Sequence, residues 1–354
     1  MEKIKVGVIG AGSISEMHFE SYKNNHDVEI YSVCDRNEQR AQEKAEKYGA
    51  KKYYKSYQDL LADSEVDAVS ICTWNNSHAE ISIAALRAGK HVLVEKPLCK
   101  TVEEAYAIER AVKENGGKVL QVGFVRRFGT NTQVLKNFID SGDLGEIYYA
   151  KASCIRELGN PGGWFADKER SGGGPLIDLG VHVIDLCWYL MGKPKVKSIS
   201  GNTYNKLGNR SNIKNKSFYK AADYDPDKNT VEDLANAIIR FENGASLMVD
   251  VSFTLHAKED SIAVSVFGDK GGAEIEPNLQ IVTEKHNTII NCTPQIDSLS
   301  FDFHKGLQNE IDHFVSCIKK ETETISPVQD GMEMMKILAG IYESSEKATE
   351  IHFD

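Results

Sequence analysis

The sequence predicts two α/β domains: a doubly wound parallel sheet at the amino terminus, then a domain with an open, mostly antiparallel sheet. Three observations predict this. Through residue 124, short β-branched runs alternate with amphipathic helical stretches, the pattern of a parallel sheet covered on both faces. Beyond that point strand-like runs follow one another through short turns, as in an antiparallel sheet. The length, 354 residues, exceeds what a single core comfortably serves. The domains are therefore expected at 1–124 and 125–354.

The first strand, residues 3–9, runs straight into Gly10-Ala11-Gly12-Ser13-Ile14-Ser15, a G-x-G-x-x-S variant of the dinucleotide fingerprint. Gly10 permits a tight turn and Gly12 the close approach of a pyrophosphate. Ser15 is a small substitute at the position that keeps helix and strand together. The second strand, 28–34, ends at Asp35, where the fingerprint needs an acid for the adenosine ribose hydroxyls. Strand, glycines and acid together predict a nicotinamide cofactor. Asp35 repels a 2′-phosphate and Arg36 attracts one, so NAD is favoured and NADP stays open.

A charged helix over 37–48 ends at Gly49, and Ser56 opens a short helix. The strand at 66–72 leads into Thr73-Trp74-Asn75-Asn76-Ser77-His78 and a helix ending at Gly89. The strand at 91–94 leads into Glu95-Lys96-Pro97, Thr101 and Glu104 form a capping box, and 119–123 is a further strand. In such sheets the ligand sits beyond the carboxyl ends of the strands. Asp35, Thr73, Asn75, His78, Glu95 and Lys96 all fall at those ends, and this placement singles them out. The plainer readings are a turn closed by Asn75, a helix capped by His78 and a solvated Glu95 and Lys96 pair.

In the second half a helix is expected around 132–139 and a strand over 146–156, followed by a glycine-rich loop over 157–171 that carries Trp164 and Phe165. Further strands are expected at 196–204, 234–241, 245–255, 262–267, 273–275 and 279–283, with Asn243-Gly244 as a hairpin turn. The polar stretch 205–229 reads as a solvated surface loop, with a lid as the lesser alternative. Amphipathic helices follow at 303–318 and from Met332. The chemistry is expected on residues 172–192. There three glycines, acting as a flexible hinge, lead into Pro175 and a helix that sets Asp178 and His182 at i and i+4, with Asp185 three residues on. An apolar core helix does not need those charges.

A net charge of −10 with scattered Lys and Arg argues against nucleic-acid or anionic-membrane partners. No apolar run has the length of a membrane span. Seven dispersed cysteines without a C-x-x-C pair favour free thiols in a reducing compartment, so a cytoplasmic protein is expected. No metal is expected either, since His182 and Asp185 lack further ligands at recognisable spacing.

In this order, Gly10-Ala11-Gly12, Asp35, Thr73-x-Asn75-x-x-His78, Glu95-Lys96-Pro97, Gly123-Phe124-Val125-Arg126-Arg127 and the D-x-x-x-H of Asp178 and His182 resemble the Gfo/Idh/MocA family over nearly the whole chain. The resemblance implies a Rossmann domain followed by an α/β domain that packs sheet to sheet in homodimers or homotetramers. It also implies NAD(P)-dependent oxidation of a secondary hydroxyl on a sugar, sugar derivative or cyclitol. By the family pattern Lys96, Asp178 and His182 form the catalytic group, and Arg126 lies beside the substrate. The cofactor would be held by Gly10, Gly12, Ser13, Ile14, Asp35, Arg36, Thr73, Asn75, His78, Glu95 and Lys96.

His182 suits a general base because its unperturbed pKa lies near neutrality. Asp178 would orient the ring or hold a substrate hydroxyl, and Lys96 would stabilise the developing alkoxide. Trp164 is a candidate for stacking on a sugar face, and His256, late on a strand, for reaching a hydroxyl. Ser15 and Trp74, the latter where the family commonly has proline, depart from the pattern without removing a group the chemistry needs. The rival readings are an NAD-assisted glycosidase that yields no net NADH, and a non-catalytic sensor of dinucleotide and sugar.

Overall fold

The structure, a computed structural model, describes residues 3–353 and divides into two compact units; the outermost residues of both predicted domains lie outside it. The first unit alternates β1 (Ile4–Ile9), α1 (Ser13–Lys23), β2 (Val28–Cys34), α2 (Glu38–Tyr48), β3 (Lys52–Tyr54), α3 (Tyr57–Ala62), β4 (Ala68–Ile71), α4 (Asn75–Arg87), β5 (His91–Glu95), α5 (Val102–Glu114) and β6 (Leu120–Gly123). The strands form one parallel sheet in the order β3-β2-β1-β4-β5-β6. The order reverses between β1 and β4, the crevice where doubly wound sheets bind ligands. All four residues of β4 are buried, as a strand covered on both faces requires. Local signals set the helix ends. The Asn37 side chain accepts from Arg40 N–H and Gly49 closes α2 in the left-handed region, and both halves of the Thr101/Glu104 box are formed.

The second unit contains α6 (Thr130–Asp140), β7 (Ile147–Ile155), α7 (Lys168–Ser171), α8 (Val181–Leu190), β8 (Val196–Tyr204), β9 (Leu234–Phe241), β10 (Ser246–Ser252), β11 (Ser261–Gly268), β12 (Gly271–Glu276), β13 (Gln280–Lys285) and β14 (Thr288–Cys292). After α9 (Phe303–Ile318) and α10 (Val328–Lys347), a short β15 (Ile351–His352) completes a nine-stranded sheet, β14-β13-β12-β11-β7-β10-β9-β8-β15. Only the β7–β10 pair is parallel among its described pairings. Helix α8 packs on β7, β10 and β11, where Ala150 and Ala152 of β7 are buried. Registers Tyr204 to Leu234, Leu234 to Ser252, Ser252 to Ile155 and Ile155 to Ser261 place five strand termini at one end of the sheet. The loops 156–171, 205–233 and 253–260 therefore all leave from that end.

The unit boundary departs from the contiguous division expected at residue 124. The first unit holds residues through Val125 and also His304–Met335; the second holds Arg126–Phe303 and the chain from Lys336. The returning segment satisfies polar groups along the edge of β6. Val122 N–H donates to Ser326 O at 2.9 Å, Ser326 Oγ donates to Val122 O at 2.6 Å, and Gln121 Nε2 donates to Glu310 O at 3.1 Å. Among the described residues no helix is long and apolar enough to cross a membrane.

Candidate active site

At the end of β1, Gly10 has φ +94°, and a Cβ there would stand 2.6 Å from Cys72 O. Only glycine fits. Gly12 caps α1 without any side-chain hydrogen bond, and a Cβ on it would meet nothing within 4 Å. The first-turn N–H groups of Ser13 and Ile14 thus belong to a helix end that side chains leave uncapped, the arrangement that receives phosphate oxygens. Ser15, standing where the fingerprint has its third glycine, is fully buried and satisfies its hydroxyl locally by donating to Gly12 O at 2.6 Å. Asp35 Oδ2 accepts from Ala11 N–H at 2.9 Å and Oδ1 from Asn37 N–H at 2.8 Å. The acid therefore ties the glycine turn to the end of β2. The Arg36 guanidinium lies 4.9 Å from the Trp74 ring centroid, so Trp74 makes a cation–π contact that proline could not.

His78 ties together the loops after the fourth and fifth strands. Its Nδ1 lies 2.8 Å from Pro97 O and its Nε2 3.1 Å from Thr73 O. Burial pushes its pKa below the ordinary histidine range, with the two carbonyls pulling the other way. Both ring nitrogens are thereby engaged by backbone carbonyls. Thr73 Oγ1 accepts from Ser77 Oγ at 2.8 Å, and Asn75 is buried at the start of α4.

Glu95 is likewise engaged. Its Oε1 lies 2.8 Å from His18 Nε2, His18 Nδ1 lies 3.2 Å from Ser70 Oγ, and the Tyr22 hydroxyl is 2.7 Å from the same oxygen. Burial raises the Glu95 carboxyl, but the hydrogen bond and charge of His18, then the charge of Lys96, outweigh it and hold it below the usual range. Lys96 follows at the strand end, half-buried.

In the second unit the three glycines are packed rather than hinged. Gly172 closes α7 in the left-handed region. A Cβ on Gly173 would stand 2.0 Å from the Tyr342 hydroxyl, and one on Gly174 2.5 Å from Glu232 O. The Glu232 carboxylate accepts from Gly174 N–H at 3.0 Å and from Leu176 N–H at 3.2 Å, and also from the Tyr342 hydroxyl at 2.8 Å. A carboxylate at a helix start satisfies orphan donors and complements the dipole.

The helix then opens with a π turn, Leu176–Gly180, before α8 begins. Asp178 and His182 are therefore separated by a π-to-α junction and not by one regular turn; such bulges recur at functional sites. They are nonetheless the two residues from Gly173 to Trp188 that are not buried. Two ionisable side chains thus remain accessible on a stretch that is otherwise buried.

Asp185 is paired with Arg127. Its Oδ2 accepts from Arg127 Nε at 3.0 Å and its Oδ1 from Arg127 Nη2 at 2.5 Å, with both side chains almost wholly buried. The guanidinium also lies 4.8 Å from the Tyr189 ring centroid. Both carboxylate oxygens of Asp185 are thus engaged by the guanidinium. Arg126 pairs with Glu276 and lies 4.7 Å from the Phe301 ring centroid. Burial raises Glu276 while the Arg126 charge opposes it. Arg126 is thus a compensated cation.

The family model described as an oxidoreductase family with an NAD-binding Rossmann fold matches residues 4–124, and that of the oxidoreductase C-terminal alpha/beta domain matches 136–353. The chain belongs to the Gfo/Idh/MocA family. It is 34% identical over 351 residues to the D-glucoside 3-dehydrogenase of Escherichia coli, spanning 98% of this chain and 97% of that protein. It is 32% identical over 270 residues to the myo-inositol 2-dehydrogenase of Thermotoga maritima, spanning 76% and 74%. Its fold is similar to that of levoglucosan dehydrogenase in complex with NADH and levoglucosan, with a TM-score of 0.86, 23% identity and 99% of each chain covered. An oxidoreductase domain protein from Kribbella flavida superposes with a TM-score of 0.87 at 24% identity over the full length of both. The last two likenesses bear on the fold alone.

This Gfo/Idh/MocA oxidoreductase places the remaining candidates unequally. Trp164 stands in a short helical turn of the 156–171 loop, its ring centroid 3.9 Å from that of Phe165. His256 is not on a strand: β10 ends at Ser252, Thr254 makes a lone bridge to Leu158, and His256 sits exposed in the following turn. The bridge diverts the chain toward the 156–171 loop and ends the ladder. Glu232, His18 and the Arg127–Asp185 pair, all structurally decisive, were not expected from sequence. Arg127 beside Arg126, and Asp185 on an apolar helix, were the available signals for the last.

Proposed function

We propose that the protein is an NAD-dependent dehydrogenase that oxidises a secondary hydroxyl of a D-glucoside or a closely related sugar or cyclitol. The observation that carries the reading is the pair Asp178 and His182, opened on a helix buried elsewhere from Gly173 to Trp188. The full-length similarity to a D-glucoside 3-dehydrogenase supports the substrate class.

Gly10, Gly12, Ser13, Ile14 and Asp35 fit the dinucleotide: a glycine cradle, an uncapped helix start and a carboxylate at the end of β2. Arg36 and Trp74 supply a flat cationic and aromatic pair at the ends of β2 and β4. When bound, NAD supplies the hydride acceptor. The protein's own task is the proton. His182 takes it from the substrate hydroxyl as the carbonyl forms, Asp178 orients the imidazole or holds a neighbouring hydroxyl, and Lys96 offsets the negative charge that develops on oxygen.

Because Asp35 repels a 2′-phosphate, Asp35→Ala should weaken NAD by roughly 10- to 100-fold, the worth of one or two charge-assisted hydrogen bonds, and weaken NADP far less. The dissociation constants of both cofactors check this. Equal losses would leave Asp35 only the loop-holding role seen in its bonds to Ala11 and Asn37.

The test of the function is a panel of glucosides, free aldoses, sugar acids and cyclitols with NAD. Reduced-cofactor absorbance and glycoside cleavage are followed together. Net NADH with intact glycoside is expected. Cleavage without accumulated NADH would instead identify an NAD-assisted glycosidase, and binding without turnover a sensor.

A further inference from the structure

We propose that the loops 157–171 and 205–229 form a subsite for a neutral second ring, a sugar or an aryl group, joined glycosidically to the ring that is oxidised. The proposal rests on the dehydrogenase reading above and extends it to the shape of the substrate.

Both loops leave the end of the sheet from which the Asp178 and His182 segment starts, and 157–171 runs directly into Gly172. Leu179, beside Asp178, packs with Val231 at the far end of the second loop and with Phe253. The 205–229 stretch is not the freely solvated loop its polarity suggests. Ala221 N–H donates to Pro161 O at 2.8 Å, and Thr230 N–H donates to Ala166 O at 2.9 Å. Arg210 Nη1 donates to Glu157 O at 2.9 Å, and Arg170 Nη1 reaches Asp223 Oδ2 at 3.1 Å. The contact is so close that a Cβ on Gly162 would fall 2.2 Å from the Tyr224 ring, and one on Gly163 2.1 Å from the Asp223 carboxylate. Gly162 and Gly163 are also at φ +64° and +56°, so side chains are excluded twice over. The two loops make one braced wall.

On this wall stands an aromatic shelf. Phe165 packs against Trp164 with the rings tilted by 32° and meets Tyr219 edge-on, with 6.4 Å between centroids at 89°. Tyr219 is 56% exposed. A large ring held open to solvent by a rigid support, rather than folded inward, is a stacking surface for the apolar face of a sugar or arene.

The charges of the wall argue for a neutral ligand. Lys216 pairs with Glu157, Arg170 with Asp167 and Asp223, and Lys228 with Asp225. Lys220 lies 4.7 Å from the Tyr224 ring centroid. A phosphorylated ligand would have to displace these partners; an uncharged ring would not.

The test compares kcat/KM for methyl and 4-nitrophenyl D-glucosides, each as both anomers, with NAD. The wild-type enzyme is expected to favour the aryl glucoside of the accepted anomer by roughly 5- to 10-fold, the worth of one aromatic stack. Tyr219→Ala should cancel that preference by lowering the aryl value, with less than about a twofold change on the methyl glucoside, and Tyr219→Phe should keep it. Absence of an aryl preference in the wild type, or equal losses on both glucosides in Tyr219→Ala, overturns the subsite while leaving the dehydrogenase reading intact. Failure of that reading looks different: no glucoside is oxidised while a cyclitol or free aldose is, and the subsite falls with it.

Discussion

His182→Ala is expected to lower kcat by roughly 10²-fold or more while leaving the dissociation constant for NAD nearly unchanged. The ring is one of two polar side chains that the 173–188 stretch leaves open, so its loss removes a reacting group without emptying a core position. Asp178, the other, lies in the π turn that precedes α8. If Asp178 only orients the imidazole, Asp178→Asn should cost less than His182→Ala. If it holds a substrate hydroxyl, KM should rise as well. Single-turnover rates at saturating substrate, with cofactor binding measured separately, check both. Near-wild-type turnover in His182→Ala would sink the assignment and return His182 to a structural histidine.

The second large effect concerns folding. Asp185→Ala or Arg127→Ala should each destabilise the protein by about 3–5 kcal/mol, because either leaves an uncompensated charge in a dry interior. The bond is bidentate, both side chains are buried, and the guanidinium is flanked by Tyr189 and Trp188. Water therefore cannot replace the missing partner. Replacing both residues together by apolar ones of similar volume should cost much less than either single change, since the desolvation penalty disappears with the attraction. Urea midpoints of the two single variants and the double variant measure this. Single-variant losses under about 1 kcal/mol, or additive losses in the double variant, would show that the pair is neither dry nor coupled.

What the sequence made legible was local. Gly10, Gly12 and Asp35 are readable because the turn geometry and the strand end dictate residue types within a short span. The Thr101 and Glu104 box is readable for the same reason, both of its bonds closing within one turn. Asp178 and His182 stand out because charges on an apolar helix are costly without a purpose. The partners that hold them were not legible, because sequence separation hides them. Glu232 caps the segment from 58 residues away, His18 reaches Glu95 across 77, and Arg127 meets Asp185 across 58. The π turn follows Pro175 and holds Asp178, features an ordinary α-helical first turn would carry equally, so nothing in its five residues announces it. Short edge strands such as β3 and β15 have too few residues to show a period, and His256 continued an apolar alternation that the Thr254 bridge interrupts.

The return of residues 304–335 to the first unit bears on how the chain is made. A ribosome delivers β1 to β6 first, yet the groups that close β6, Glu310 and Ser326, emerge roughly two hundred residues later. At ordinary elongation rates that is a delay of roughly 10–40 s. During it the nascent sheet has an edge to shield and a glycine-rich nucleotide crevice already built. A fragment ending at Val125 should therefore be markedly less resistant to protease than the same segment in the full chain, and adding the 304–335 segment as a separate peptide should restore part of the difference. Equal resistance without the peptide would mean that the first six strands complete themselves.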